Sequence, residues 1–181
     1  MSARRLEVIF DRGIPSSELR EARLPIAIYP GSFDPVTNGH IDILERAHGI
    51  FDRVVVAVLA NTTKRCVFTF EERVEMLRAV TRHLDRVDIE HFTGLTADFA
   101  RQKGAHILIR GLRAVSDFDA ELRIALTNKK LNPQLETVFL MTAAEHLYLS
   151  SSTVREIASL GGPPEGLVPD LVAQRLRERF S

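Results

Sequence analysis

The run Val54-Val55-Val56-Ala57-Val58-Leu59-Ala60 leaves this chain little choice of fold. It is apolar throughout, mostly β-branched, and lacks any polar alternation. A strand of that kind has both faces covered, as in the interior of a parallel sheet. Shorter apolar runs read as further strands: Ile26-Ala27-Ile28-Tyr29, ended by Pro30-Gly31, then Val87-Asp88-Ile89, His106-Ile107-Leu108-Ile109 and Thr137-Val138-Phe139-Leu140-Met141. Helical periodicity fills the intervals. From Asn38 it places Ile41, Leu44, Ala47, Ile50 and Phe51 on one stripe. Thr69 with Glu72 forms a capping box ahead of Val74, Leu77 and Val80. Thr96 to Lys103 and Ser116 to Leu131 read as helices. Thr153 with Glu156 suggests a second capping box, and a last helix carries Leu171, Val172, Leu176 and Phe180. Strands alternating with helices predict an α/β, Rossmann-like doubly wound parallel sheet with helices on both faces.

At 181 residues the chain suits one domain, expected over 26–181. Residues 1–25 read as an extension of unknown role. Leu6, Val8 and Phe10 allow a short strand there, before Pro15-Ser16-Ser17 breaks the pattern. A surface appendage or an added edge strand is the plain reading, and a regulatory arm is the sharper one. The extension lacks the apolar stretch of a signal peptide. Lys+Arg 24 against Asp+Glu 24 argues against nucleic acid held by bulk charge. The single cysteine, Cys66, excludes an intramolecular disulfide framework and a cysteine-based zinc cluster. No general base is evident beside it, so it reads as structural. No apolar run approaches the ~18 residues of a membrane span, and cytoplasmic residence is the expectation.

In such sheets ligands bind beyond the carboxyl ends of the strands, where the strand order reverses. The first loop, Pro30-Gly31-Ser32-Phe33-Asp34-Pro35-Val36-Thr37-Asn38-Gly39-His40, has a hydroxyl at the strand end. Thr37 or Asn38 can cap the following helix, putting Gly39 and His40 in a first turn that favours anions. Gly39 leaves room for a phosphate, and His40 can donate a hydrogen bond to one. An incidental surface histidine on a well-capped helix is the alternative. Asn61-Thr62-Thr63-Lys64-Arg65 brings cations to the end of a buried strand, as a phosphate site or as a solvated loop. Arg110-Gly111-Leu112-Arg113 places two arginines about a glycine. Unpaired, they would repel each other without an anion; paired with Asp117, Asp119 or Glu121, they would be structural. Ser150-Ser151-Ser152-Thr153 offers more hydroxyls than capping alone needs, with Arg155 one turn in. There is no GxxxxGK[ST], no GxGxxG, and no cluster with metal-ligand spacing.

These residues together resemble the bacterial phosphopantetheine adenylyltransferase family, within the nucleotidyltransferase superfamily that carries the HxGH signature. The resemblance rests on Tyr29-Pro30-Gly31-Ser32-Phe33-Asp34-Pro35, Thr37-Asn38-Gly39-His40, Ile109-Arg110-Gly111-Leu112-Arg113 and Ser150-Ser151-Ser152, in order and with family spacing. Thr37 stands where the signature has its first histidine, which is usual in this family. The resemblance implies transfer of AMP from ATP to 4′-phosphopantetheine, giving dephospho-CoA and pyrophosphate in coenzyme A synthesis. It also implies Mg²⁺ carried mainly on the ATP phosphates, a homohexamer, and CoA as a candidate inhibitor.

Carried over by position, His40 would stabilise the transition state, with Lys64 and Arg110 holding the phosphopantetheine phosphate beside it. Ser32 would bond the attacking phosphate and, with the Phe33 backbone, the nucleotide. Thr96 would meet the pantetheine arm. Gly111, Leu112, Arg113 and Glu121 would line the ATP site. His146, Leu147, Tyr148, Leu149, Ser150, Ser151 and Ser152 would cover adenine and the outer phosphates. Ala120 replaces an aromatic residue that many relatives carry, the extension has no family template, and the 146–148 segment lacks a tryptophan that some relatives show. Two rival readings are another HxGH nucleotidylyltransferase with a different phosphate acceptor, and a non-catalytic nucleotide or CoA binder.

Overall fold

A computed structural model describes residues 25–60 and 66–181. The candidate strand near Leu6 and the loop containing Lys64 lie outside the described residues. The strands are β1 (Ala27–Gly31), β2 (Val54–Leu59), β3 (Val87–Phe92), β4 (Ile107–Leu112) and β5 (Glu136–Met141). They form one parallel sheet in the order β3-β2-β1-β4-β5. The helices are α1 (Asn38–Ile50), α2 (Phe70–Val80), α3 (Thr96–Gln102), α4 (Val115–Leu131), α5 (Ser151–Ser159) and α6 (Asp170–Phe180), with a 3-10 turn at Ala144–His146.

The unbroken apolar run is explained by its surroundings. β2 lies between β1 and β3 and is buried on both faces. Val54, Val56 and Val58 enter a core with Ile43, Leu44, Leu77, Val172 and Leu176. Val55 and Ala57 enter a second core with Ile28, Ala97, Phe99, Leu108 and Leu135. Each fully buried valine contributes roughly 1.5–3 kcal/mol, so two cores share one strand.

Several boundaries differ from those the sequence suggests. β1 continues through Pro30 and Gly31, although proline lacks an N–H for a ladder. The register shows why it is tolerated: β1 pairs with β4 only at Ala27↔Ile107 and Ile28↔Leu108. Beyond that point the two strands separate, and Pro30 has no β4 neighbour to bond. β4 continues through Arg110, Gly111 and Leu112, which pair with β5, so most of the expected fourth loop is strand. The second capping box is absent. α5 begins at Ser151 with Ser150 as its N-cap, accepting from the Thr153 N–H, and Thr153 therefore lies inside the first turn. In α6 the buried stripe is Val172, Ala173 and Leu176, while Leu171 and Phe180 are partly exposed.

Candidate active site

Where β1 and β4 part, a cavity of about 400 Å³ opens at the carboxyl edge of the sheet. The strand order reverses here, since β1 leads to β2 on one side and is flanked by β4 on the other. The chain after β1, the end of β4 and the N-termini of α1, α4 and α5 surround it. Ser32, Phe33, His40, Arg110, Gly111, Arg113, Glu121, His146, Leu149, Ser150 and Ser151 all line the cavity. Thus His40 and Arg110 share one pocket. Leu112, Leu147, Tyr148 and Ser152 do not line it. Leu112 is buried, while Leu147 and Tyr148 are turned to solvent. Thr96 opens α3 behind the outermost strand, β3, two strands from β1, and does not line the cavity either.

His40 is held by its own helix. Thr37 is the N-cap of α1, and its hydroxyl accepts from the His40 N–H. In return the Thr37 N–H donates to His40 Nδ1 at 3.0 Å. A backbone N–H can only donate, so Nδ1 is unprotonated and the ring proton sits on Nε2. This is a capping box in which histidine takes the place of the usual glutamate or glutamine. Burial, with the nearby charges of Arg113 and Arg110, pulls the imidazole down to about 4. His40 is therefore a neutral Nε2–H donor near pH 7, braced edge-on by the Phe33 ring at 5.1 Å.

Both arginines are paired with carboxylates of α4, the second of the two arrangements the sequence allows. Arg110 forms a fork with Glu121, Nε to Oε2 at 2.5 Å and Nη2 to Oε1 at 2.8 Å, and Nη1 donates to the Pro30 carbonyl at 3.2 Å. Arg113 bonds Asp117 through Nε and Nη2 and the Leu149 carbonyl through Nη1. Both carboxylates come from α4, which starts directly beyond β4. Burial acts to raise the Asp117 carboxyl, but the bonds and charge of Arg113 prevail and hold it below its ordinary value. Each guanidinium has five N–H groups. Three are engaged, leaving one N–H on each terminal nitrogen of both arginines for a ligand.

The serine cluster is also partly committed. Ser150 caps α5, and Ser151 Oγ donates to the Pro35 carbonyl at 2.8 Å. Arg155 does not reach the cradle. It bonds the Asp34 carbonyl and lies 3.4 Å from Asp34 Oδ2.

Sequence reasoning missed several residues. Asp34 is buried and accepts from the Val67 and Phe68 N–H groups at 3.0 and 2.9 Å, tying the first loop to the start of α2. Tyr29, Ser116, Asp117, Ala120 and Thr142 line the cavity as well. Burial drives the Tyr29 phenol far above its ordinary range despite the Arg110 charge, so it stays protonated. Gly39 lines the cavity, and a Cβ there would meet Thr142 Cγ2 at 3.5 Å and His146 Cβ at 3.6 Å, ordinary contacts with two other cavity residues. No acceptor among the described residues takes the Gly39 N–H, an orphan donor of the helix terminus.

The cytidylyltransferase-like family model matches residues 28–157. The chain is 54% identical over 155 residues to the phosphopantetheine adenylyltransferase of Carboxydothermus hydrogenoformans, covering 86% of this chain and 96% of that one. It is 56% identical over 155 residues to that of Synechococcus sp. strain JA-3-3Ab, covering 86% and 98%. Among solved structures it is similar to the Plasmodium falciparum nicotinic acid mononucleotide adenylyltransferase, with TM-score 0.65, 15% identity, and coverage of 86% and 96%. That last likeness concerns the fold alone.

Proposed function

Because the chain belongs to the phosphopantetheine adenylyltransferase family, we propose that the cavity between β1 and β4 is where it moves AMP from ATP to 4′-phosphopantetheine. An oxygen of the acceptor phosphate bonds to the α-phosphorus while the bond from that phosphorus to the β-phosphate oxygen breaks. The products are dephospho-CoA and pyrophosphate. The nucleophile is already an anion, so no general base is required. The protein's task is to align two anions and stabilise the charge that grows at the α-phosphate. The observation that carries this reading is the sharing of one pocket by His40, as a neutral Nε2–H donor, and Arg110, with one N–H left on each terminal nitrogen.

In this reading His40 donates to a non-bridging oxygen of the pentacovalent transition state. Arg110 and Lys64 hold the acceptor phosphate. Ser32 and the Phe33 N–H bridge the two phosphates. Arg113, Gly111, Glu121, His146 and Leu149 receive the nucleotide, with Ser150 and Ser151 beside its phosphates. No three His, Cys, Asp or Glu side chains among the described residues converge as a metal site. The cavity carboxylates Asp117 and Glu121 are both engaged by arginine. These residues do not fit a protein-held Mg²⁺. The ion would arrive on the triphosphate.

The same reading places the enzyme in the cytoplasm. No helix among the described residues is long and apolar enough to cross a membrane. Self-association as a homohexamer is supported by α4, which buries no residue and leaves Val115, Leu126 and Leu131 exposed beside the edge strand β5. CoA, which resembles the product, would compete at the same pocket.

The test is turnover with 4′-phosphopantetheine against nicotinamide mononucleotide as acceptor. Turnover with the first is expected. Turnover with the second alone would install the rival nucleotidylyltransferase, and turnover with neither would leave a nucleotide binder. His40→Ala is expected to lower kcat by several orders of magnitude with ATP binding nearly intact. Lys64→Ala should chiefly weaken phosphopantetheine binding.

A further inference from the structure

Both arginines that line the cavity have a carboxylate partner, but one cation behind it has none among the described residues. Arg73 of α2 is 4% exposed, and among the described residues no carboxylate pairs with it. Its guanidinium meets neutral acceptors only. Nη1 donates to the Ser32 carbonyl at 2.7 Å and to the Leu59 carbonyl at 3.3 Å, and Nε donates to the Thr69 carbonyl at 3.3 Å. The Phe70 ring centroid lies 5.4 Å away. Burying a charge among neutral groups is costly, and a well-packed apolar residue would serve stability better.

The shortest of these bonds leads to the cavity. Ser32 and Phe33 both line it. Phe33 has φ +46, a left-handed conformation that is a true outlier for a bulky residue. Its ring folds back beneath Gly31, where a Cβ would lie 2.8 Å from it. The peptide joining Ser32 to Phe33 is trans, so its N–H points away from its carbonyl, and hence away from Arg73. No acceptor among the described residues takes the Phe33 N–H. Neighbouring carbonyls are likewise drawn off: Pro30 by Arg110, Asp34 by Arg155 and Pro35 by Ser151. The loop is left presenting amides.

A cation on a carbonyl oxygen polarises the N–H of the same peptide, because linked hydrogen bonds strengthen one another at low dielectric. We propose that Arg73 is a positioning residue whose buried charge, relayed through the Ser32–Phe33 peptide, makes the Phe33 N–H a strengthened donor for phosphoryl oxygens. This deepens the adenylyl-transfer reading and rests on it.

The experiment measures binding of pyrophosphate and of adenosine by calorimetry to the wild type, Arg73→Gln and Arg73→Lys, with thermal melts to establish folding. Arg73→Gln should bind pyrophosphate about tenfold more weakly with adenosine unchanged. Arg73→Lys keeps the charge and should stay within about threefold of wild type, even with a lower Tm. In amide NMR, the pyrophosphate-induced downfield shift of the Phe33 N–H should persist in the lysine variant and shrink in the glutamine variant. Wild-type affinity in folded Arg73→Gln, or an equal loss for adenosine, would overturn the inference alone. Should Arg73→Gln not fold, a tenfold loss in folded Arg73→Lys would do the same. A wild-type protein that binds no pyrophosphate would overturn the adenylyl-transfer reading as well.

Discussion

Acid should expose the state of His40. In the unfolded chain its imidazole titrates near the ordinary 6.5, and in the native protein near about 4, because it is buried beside Arg113 and Arg110. Between those values the unfolded chain holds a proton that the native state lacks. Stability from this group is therefore complete above about pH 6.5 and is lost as the pH falls towards 4. The gap between 6.5 and about 4 limits the loss to about 3 kcal/mol, with roughly 1 kcal/mol gone by pH 5.5. The comparison is His40→Gln, since glutamine at this position can still accept the Thr37 N–H and keep the capping box. Urea melts of both proteins at pH 7, 5.5 and 4 isolate the term, because the other histidines are common to both. Wild type should lose about 3 kcal/mol more than the variant over that range. Parallel curves would refute the neutral, buried imidazole, and with it the assignment of a standing Nε2–H donor.

Two glycines should separate folding from binding. Gly31→Ala drives a Cβ into the Phe33 ring at 2.8 Å and should cost about 1–3 kcal/mol in a thermal or urea melt, whereas Gly39→Ala should melt as wild type yet lose ATP affinity in calorimetry. Equal Tm loss in both would contradict the steric account. Arg110→Lys keeps the charge but not the fork to Glu121, so KM for 4′-phosphopantetheine should rise at least about tenfold in steady-state assays. An unchanged KM would show that the remaining guanidinium N–H groups are not used. Val115→Glu with Leu126→Glu should yield a smaller species in sedimentation velocity, and an unchanged mass would clear the α4 face of any role in assembly.

Local patterns were readable wherever the cause was local. The β2 run announces two cores because burial on both faces is a property of each residue in turn, and the Thr69–Glu72 box closes within one helical turn. The Thr37–His40 box carries no familiar signature, because that signature ends in glutamate or glutamine. The end of β1 is hidden from the sequence for a longer-range reason. Pro30 is tolerated in a central strand only because β4 has already turned away, and nothing in residues 26–31 encodes that departure. Arg73 did leave a trace. Helical spacing sets it on the face of Phe70 and Leu77, where a charge is out of place, and a cation on an apolar stripe was the signal to follow.

The pairing of the arginines bears on how the pocket tolerates being empty. Two bare guanidiniums at the mouth of a buried sheet would destabilise the fold whenever no anion was present. Glu121 and Asp117 remove that cost, yet each takes only Nε and one terminal N–H, and after the Pro30 and Leu149 carbonyls are bonded one N–H is left on each terminal nitrogen. The carboxylates also fix the plane of each fork, so the ordering entropy of a long side chain is met on folding rather than on binding. The pocket therefore does not draw anions with naked charge. It offers oriented N–H groups from two paired arginines, a neutral histidine and the helix termini, an arrangement suited to phosphoryl oxygens by geometry rather than by bare charge.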